Sequence, residues 1–218
     1  MANQAFITAK GANLGVQLHW NGGRDSVEAF LEYAKLAKLP PLGQRNEGLP
    51  AFVTVLCNYF GNDGMNVRIS SCYPHRPDLS DSGDNGVYVV EGFKIVARYG
   101  GGGVEQRVYE LEDMLKAIDN AQPKADQIGI FLDGIETPVD QLKVGDQVIL
   151  PRRYGDVASE GRFQVFTVLG FRPPIYGRVN GENLTGKPYV DMFDDSAAVP
   201  NMDNINAYIR TETVRVPK

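Results

Sequence analysis

Cysteine, histidine and tryptophan are scarce in this chain, and the first two scarcities each remove a class of protein. Two cysteines, Cys57 and Cys72, in 218 residues do not make a disulfide framework. Only His19 and His75 could join them around a zinc ion, and neither a CxxC nor an HxxxH spacing exists. No apolar run approaches the roughly 18 residues that mark a membrane-spanning helix. The opening stretch, MANQAFITAKGANLG, lacks a basic segment followed by a long apolar one, so no secretory signal is read there. Basic charge is not in excess either. The 22 Lys and Arg against 27 Asp and Glu leave −5, which argues against a globally basic nucleic-acid binder or membrane-surface protein. These absences lead to the expectation of a soluble cytoplasmic protein with no metal, no cofactor and no membrane partner.

What is present is ordinary globular material rich in turns. Hydrophobic residues make up 43% and charged residues 22%, with 24 Gly and 13 Pro. The length fits one large domain or two small ones. Residues 6–9 and 16–20 read as strands around a Gly11-Ala12-Asn13 turn. Val27, Phe30, Leu31 and Ala34 then fall at i, i+3, i+4, i+7, one face of a helix that Pro40-Pro41 stops near Leu39. Phe52, Val53, Leu56, Cys57 and Phe60 mark a second helix, from about Leu49 to Phe60. Strands return at 65–69, 86–90 and 93–98, the last two joined through Glu91-Gly92 as a hairpin. Beyond the flexible run Gly100–Gly103, a third helix carries Val108, Leu111, Leu115 and Ile118.

After about Asp126 the helical period disappears. Short apolar runs at 128–132, 147–150, 162–169, 189–193 and 207–216 are separated by Gly, Pro, Asp and Asn. Within Val139–Val148, Leu142 sits at a short turn, Gly145 permits a tight bend and Val148 opens the next strand. The fold class expected is α+β. An N-terminal antiparallel sheet with about three helices spans residues 1–125, and a small β-rich barrel or sandwich spans 126–218.

The most pointed local feature is Asn21-Gly22-Gly23-Arg24-Asp25-Ser26, set between a strand and a helix. It is similar to the Ser-Gly-Gly-x-Asp-Ser loop of the PP-loop ATP pyrophosphatases. That resemblance implies an ATP-binding enzyme in which Gly22, Gly23, Asp25 and Ser26 hold the pyrophosphate at a helix N-terminus. The same letters also have a structural reading. Asp25 caps the helix, Glu28 completes a capping box, and the two glycines turn the chain without a Cβ penalty. The placement of residues 16–20 separates the two: a central parallel strand favours ATP chemistry, an antiparallel hairpin disfavours it.

Other residues carry weaker signals. Cys57, on an apolar helix stripe, reads as a buried thiol before it reads as a nucleophile. His19 beside Trp20 reads as a packed or rim aromatic pair before it reads as a general base. Asp78, Asp81 and Asp84 do not fit a calcium loop, because position 12 counted from Asp81 is Gly92. Gly100–Gly103 lacks the Lys-Ser/Thr of a Walker loop. Arg152, Arg153, Arg162, Arg172 and Arg178 interleave with Tyr154, Phe163, Phe166, Phe171 and Tyr176. Such a run binds stacked bases and phosphates, or simply alternates core aromatics with water-facing arginines.

A longer likeness covers the first half. GVQLHWNGGRDSVEAFLEYAKL together with DNGVYVVEGFKIVAR resembles a family of uncharacterised proteins encoded by bacteriophages and other mobile elements. Its members share the His-Trp strand end, the Asn-Gly-Gly-Arg-Asp-Ser loop and the Asp-Asn-Gly strand pair. The resemblance implies a genomic setting and no activity. The function expected is therefore a non-catalytic interaction protein that binds host or defence machinery, with His19, Trp20, Arg24, Arg152, Arg153 and Arg162 as candidate contact residues. The alternatives are the ATP-binding loop and nucleic-acid binding through the arginine run.

Overall fold

A computed structural model describes residues 3–44, 47–61, 65–77, 80, 83–101, 108–151, 162–172, 178–179, 182–183, 189–194, 206–207 and 213–218. The chain divides into two compact units, Met1–Gln127 and Ile128–Lys218. The break lies two residues beyond the boundary expected from sequence.

The first unit is built on five strands: β1 (Ala5–Ala9), β2 (Leu14–Leu18), β3 (Val67–Ser71), β4 (Val87–Glu91) and β5 (Lys94–Tyr99). They form one sheet in the order β3-β2-β1-β4-β5. The expected antiparallel sheet is corrected to a mixed one, because β1 pairs parallel with β4 while its other neighbour, β2, is antiparallel. The physical sign of this was present in β1. All five residues of AFITA are buried, the unbroken pattern of a strand covered on both faces. Cross-strand register sorts the two faces. Ile7, Val16 and Tyr88 align on one, and Phe6, Gln17, Arg68 and Val87 on the other. The second face is apolar only in part: Phe6, Cys72 and Val87 pack together there, while Arg68 is exposed.

Three helices complete this unit: α1 (Arg24–Leu36), α2 (Gly48–Tyr59) and α3 (Leu111–Ala121). The apolar period of α1 buries Val27, Phe30, Leu31 and Ala34. Its exposed side carries the pairs Arg24–Glu28 at 2.7 Å and Lys35–Glu32 at 2.9 Å. On α2 the buried stripe is Phe52, Val55 and Leu56. Cys57 is half-buried rather than fully enclosed. Val108, read from sequence as part of the third helix, precedes α3 and is 71% exposed. Polar ties cross between the helices. The Tyr33 hydroxyl donates to Asp119 at 2.8 Å and the Asn58 amide donates to Gln122 at 2.9 Å, both buried or half-buried.

The second unit holds a short helix, α4 (Gly129–Asp133), and strands β6 (Ile135–Pro138), β7 (Gln147–Pro151), β8 (Phe163–Arg172), β9 (Arg178–Val179), β10 (Glu182–Asn183), β11 (Tyr189–Asp194), β12 (Asn206–Ala207) and β13 (Thr213–Val216). Six of these line up as β12-β11-β8-β7-β13-β6, and β9 pairs with β10. Among the described residues the larger sheet is open, with β12 and β6 as its edges, so no closed barrel forms. One face carries Val139, Leu142, Val148, Phe166, Val168 and Val214 as an apolar cluster. Gly145 bends the chain before β7 at φ +94°, the left-handed conformation that its position in the sequence called for.

The run 128–132, expected as a strand, is the helix α4. Tertiary contacts decide it. The Arg215 guanidinium donates to the carbonyls of Phe131, Leu132 and Gly134 at 3.0, 3.0 and 3.2 Å. Carbonyls at a helix C-terminus are short of donors; that of Phe131 also accepts from the Gly134 N–H at 3.3 Å. The same guanidinium lies 4.9 Å from the centre of the Phe131 ring, which stacks on Phe163. A five-residue apolar run carries no period that separates helix from strand.

Candidate functional site

The loop Asn21–Ser26 joins the end of β2 to α1. Because β2 lies between β1 and β3 and is antiparallel to both, the loop follows a hairpin and not a central parallel strand. Gly22 is needed for close approach: a Cβ there would lie 2.5 Å from the Ala5 nitrogen, and its N–H donates to the Asn3 carbonyl at 2.8 Å. Asn21 takes a left-handed conformation at φ +53°. Its side chain bridges two tyrosines, donating to the Tyr59 hydroxyl at 3.2 Å and accepting from the Tyr109 hydroxyl at 3.4 Å. Burial, and then the nearby Tyr109, push the Tyr59 phenol above the usual tyrosine range.

The expected cap is corrected here. Gly23 occupies the N-cap of α1 and no side chain caps the helix. Asp25 stands inside the first turn, where the helix dipole favours a carboxylate. It accepts the Ser26 N–H at 2.8 Å, the Tyr109 N–H at 2.9 Å and the Val108 N–H. Thus it ties the chain entering α3 to the start of α1. Glu28 does not close a capping box with it and instead pairs with Arg24. Gly22, Gly23 and Ser26 are buried, so of the four residues of the ATP reading Asp25 alone reaches an open groove.

Two cavities of the first unit are lined by described residues. A groove of about 540 Å³ runs along Asp25, Glu28 and Glu32 of α1, with Phe93 and Ile95 from the β5 side and Tyr109 and Leu111 at the start of α3. Its carboxylates are largely committed, Asp25 to backbone, Glu28 to Arg24 and Glu32 to Lys35. A second pocket of about 290 Å³ is lined by Gln4, Gln17, His19, Met65 and Arg68. Gln17 and Arg68 are cross-strand partners, and the His19 N–H extends the ladder by donating to Asn66 at 3.0 Å. Trp20 packs edge-on against the His19 ring at 5.0 Å. Trp20 is 45% and Met65, in the lining, 82% exposed.

Of the residues singled out from sequence, His19 lines this second pocket and Trp20 packs on its ring. Arg24 lies on the solvent side of α1 in its ion pair. Arg162 is half-buried just before β8, and Phe163 and Phe166 are core residues. Arg152 and Arg153 lie outside the described residues, as do Asp78 and Asp81. Sequence reasoning missed Gln4, Gln17, Met65 and Arg68. The alternation Gln17-Leu18-His19 marked a face, but only the register with β3 brings Arg68 onto it. No helix among the described residues is long and apolar enough to cross a membrane, and none of their His, Cys, Asp and Glu side chains cluster as a metal site. Comparison with known protein families, curated proteins and solved structures finds no match to this chain.

Proposed function

We propose that this chain is a non-catalytic interaction protein that docks another protein through the surface formed by His19, Trp20, Met65 and Arg68. The observation that carries the reading is the company these residues keep. An open methionine and an arginine line one pocket on an edge of the sheet, and a half-exposed tryptophan packs on the histidine of that lining. Tryptophan, arginine and methionine are enriched at protein interfaces, and tryptophan and arginine dominate their energetics. The pocket lining holds a cation and no carboxylate, so charge complementarity calls for a partner surface that is apolar with an acidic spot. The resemblance of the first half to mobile-element proteins supports host or defence machinery as the class of partner.

The ATP alternative requires an accessible phosphate cradle after a parallel strand, whereas Gly22, Gly23 and Ser26 are buried and the loop follows a hairpin. The nucleic-acid alternative rests on arginines of which two lie outside the described residues. The test is affinity capture run side by side with wild type and Met65→Asp. Because Met65 is so exposed, this change leaves the core intact. A stoichiometric partner retained by wild type and lost by the variant is expected. Identical captures, or none, overturn the proposal.

A further inference from the structure

The geometry points to the pocket beside Trp20 as a carboxylate receptor that takes an acidic side chain of the docked protein. This inference rests on the docking reading above and adds the chemistry of the group that enters. The donors converge. Gln17 and Arg68 sit opposite one another on neighbouring strands and point to one face of the sheet, and His19, two residues after Gln17, joins them in the lining. The side chains of Gln17 and Arg68 form no hydrogen bond or ion pair with the described residues.

The histidine is set to donate. The Gln4 amide nitrogen lies 2.9 Å from His19 Nδ1. An amide nitrogen only donates, so Nδ1 accepts and the ring proton resides on Nε2. Nε2–H has no partner among the described residues. The pocket thus offers a guanidinium fork, an imidazole N–H and an amide, with no carboxylate in its lining. A single planar fork matches a planar carboxylate through paired hydrogen bonds. Met65 beside it supplies apolar cover for the methylenes of a glutamate. Gln4 is a positioning residue in this scheme. It fixes which histidine nitrogen faces outward.

The chain's single tryptophan packs on the His19 ring, so its fluorescence reads this pocket directly. The probes are an oligoglutamate peptide, an oligolysine peptide and inorganic phosphate, each titrated at low salt. Oligoglutamate is expected to give a saturable change that weakens as salt rises. Arg68→Ala, at an exposed edge-strand position, should weaken that binding about tenfold or more. Gln4→Leu should weaken it too, because without the amide donor at Nδ1 nothing holds the ring in the tautomer that presents Nε2–H. Circular dichroism and the melting temperature confirm that both variants are folded. A missing saturable response, one that survives Arg68→Ala, or one matched by oligolysine or phosphate overturns the carboxylate assignment. The two proposals fail separately. A captured partner lost with Met65→Asp but indifferent to Arg68→Ala keeps the docking surface and overturns the receptor. Oligoglutamate binding without any captured partner overturns the docking reading and supports the receptor.

Discussion

Replacing Asp25 by alanine asks whether the loop Asn21–Ser26 is built to hold the chain together. Its carboxylate accepts three backbone N–H groups, those of Ser26, Val108 and Tyr109. Hydrogen bonds to a charged group contribute about 1.5–3 kcal/mol when shielded from water. Two of these donors are not shielded: Val108 is 71% and Tyr109 47% exposed. Their N–H groups regain water in the variant, so each bond falls to about 0.5–1 kcal/mol. The sum expected for Asp25→Ala is about 3 kcal/mol, and for Asp25→Asn, which keeps one acceptor oxygen, about 1.5 kcal/mol. With a urea slope of about 2 kcal/mol per molar, the alanine variant should unfold about 1.5 M earlier. Equilibrium urea unfolding followed by Trp20 fluorescence reads this, because Trp20 belongs to the same unit. ATP with magnesium should leave the wild-type midpoint in place, since a ligand that bound the native loop would raise it. An alanine variant as stable as wild type, or a midpoint raised by ATP, would refute the reasoning.

Two further perturbations address the helices. Tyr59→Phe removes a phenol that accepts from Asn21 and donates to Met114, at a cost of about 1 kcal/mol at neutral pH. Burial raises the pKa of this group in the folded state, so the neutral phenol contributes stability that is fully present below about pH 10 and is lost as pH rises through the raised folded value. The melting temperature of wild type should therefore fall more steeply than that of the variant in that alkaline window; parallel curves would contradict the assignment. Arg215→Met removes the guanidinium from three carbonyls at the end of α4, of which that of Phe131 keeps the Gly134 N–H, and should destabilise the second unit by about 2 kcal/mol, with Arg215→Lys in between. Hydrogen exchange at residues 129–134 tests it, and unchanged protection in the methionine variant would count against the cap.

Much of the first unit was legible because its periods are unambiguous. The apolar spacing through Val27, Phe30, Leu31 and Ala34 marks α1, and the Glu91-Gly92 turn marks the β4–β5 hairpin. Partner choice between strands was not legible. Nothing local in Phe6–Ala9 says that its second neighbour is β4, because parallel pairing depends on where the chain returns after α2 and β3. The site split along the same line. His19 and Trp20 stood out as neighbours in sequence, while Arg68 becomes their neighbour only through the β2–β3 register. Asp25 stands out in the sequence for its place at a helix start, yet two of its three partners lie on a distant backbone segment that no capping rule names. In the second unit α4 owes its shape to Arg215, far away in the chain, so its own five residues could not declare it.

The parallel pairing of β1 with β4 also has a consequence for the order in which the chain assembles. Phe6 meets Val87, so the middle strand waits for a partner made roughly eighty residues later, and closing so long a loop slows folding. Until then the β1–β2 hairpin exposes one bare backbone edge, the kind of template on which other strands add and chains associate. During synthesis the helices α1 and α2 emerge before that edge is covered, and arrival of Val87–Glu91 is the event that seals the sheet. A chain halted before residue 87 would leave that edge open. The vulnerable interval in the life of this protein therefore falls at the ribosome.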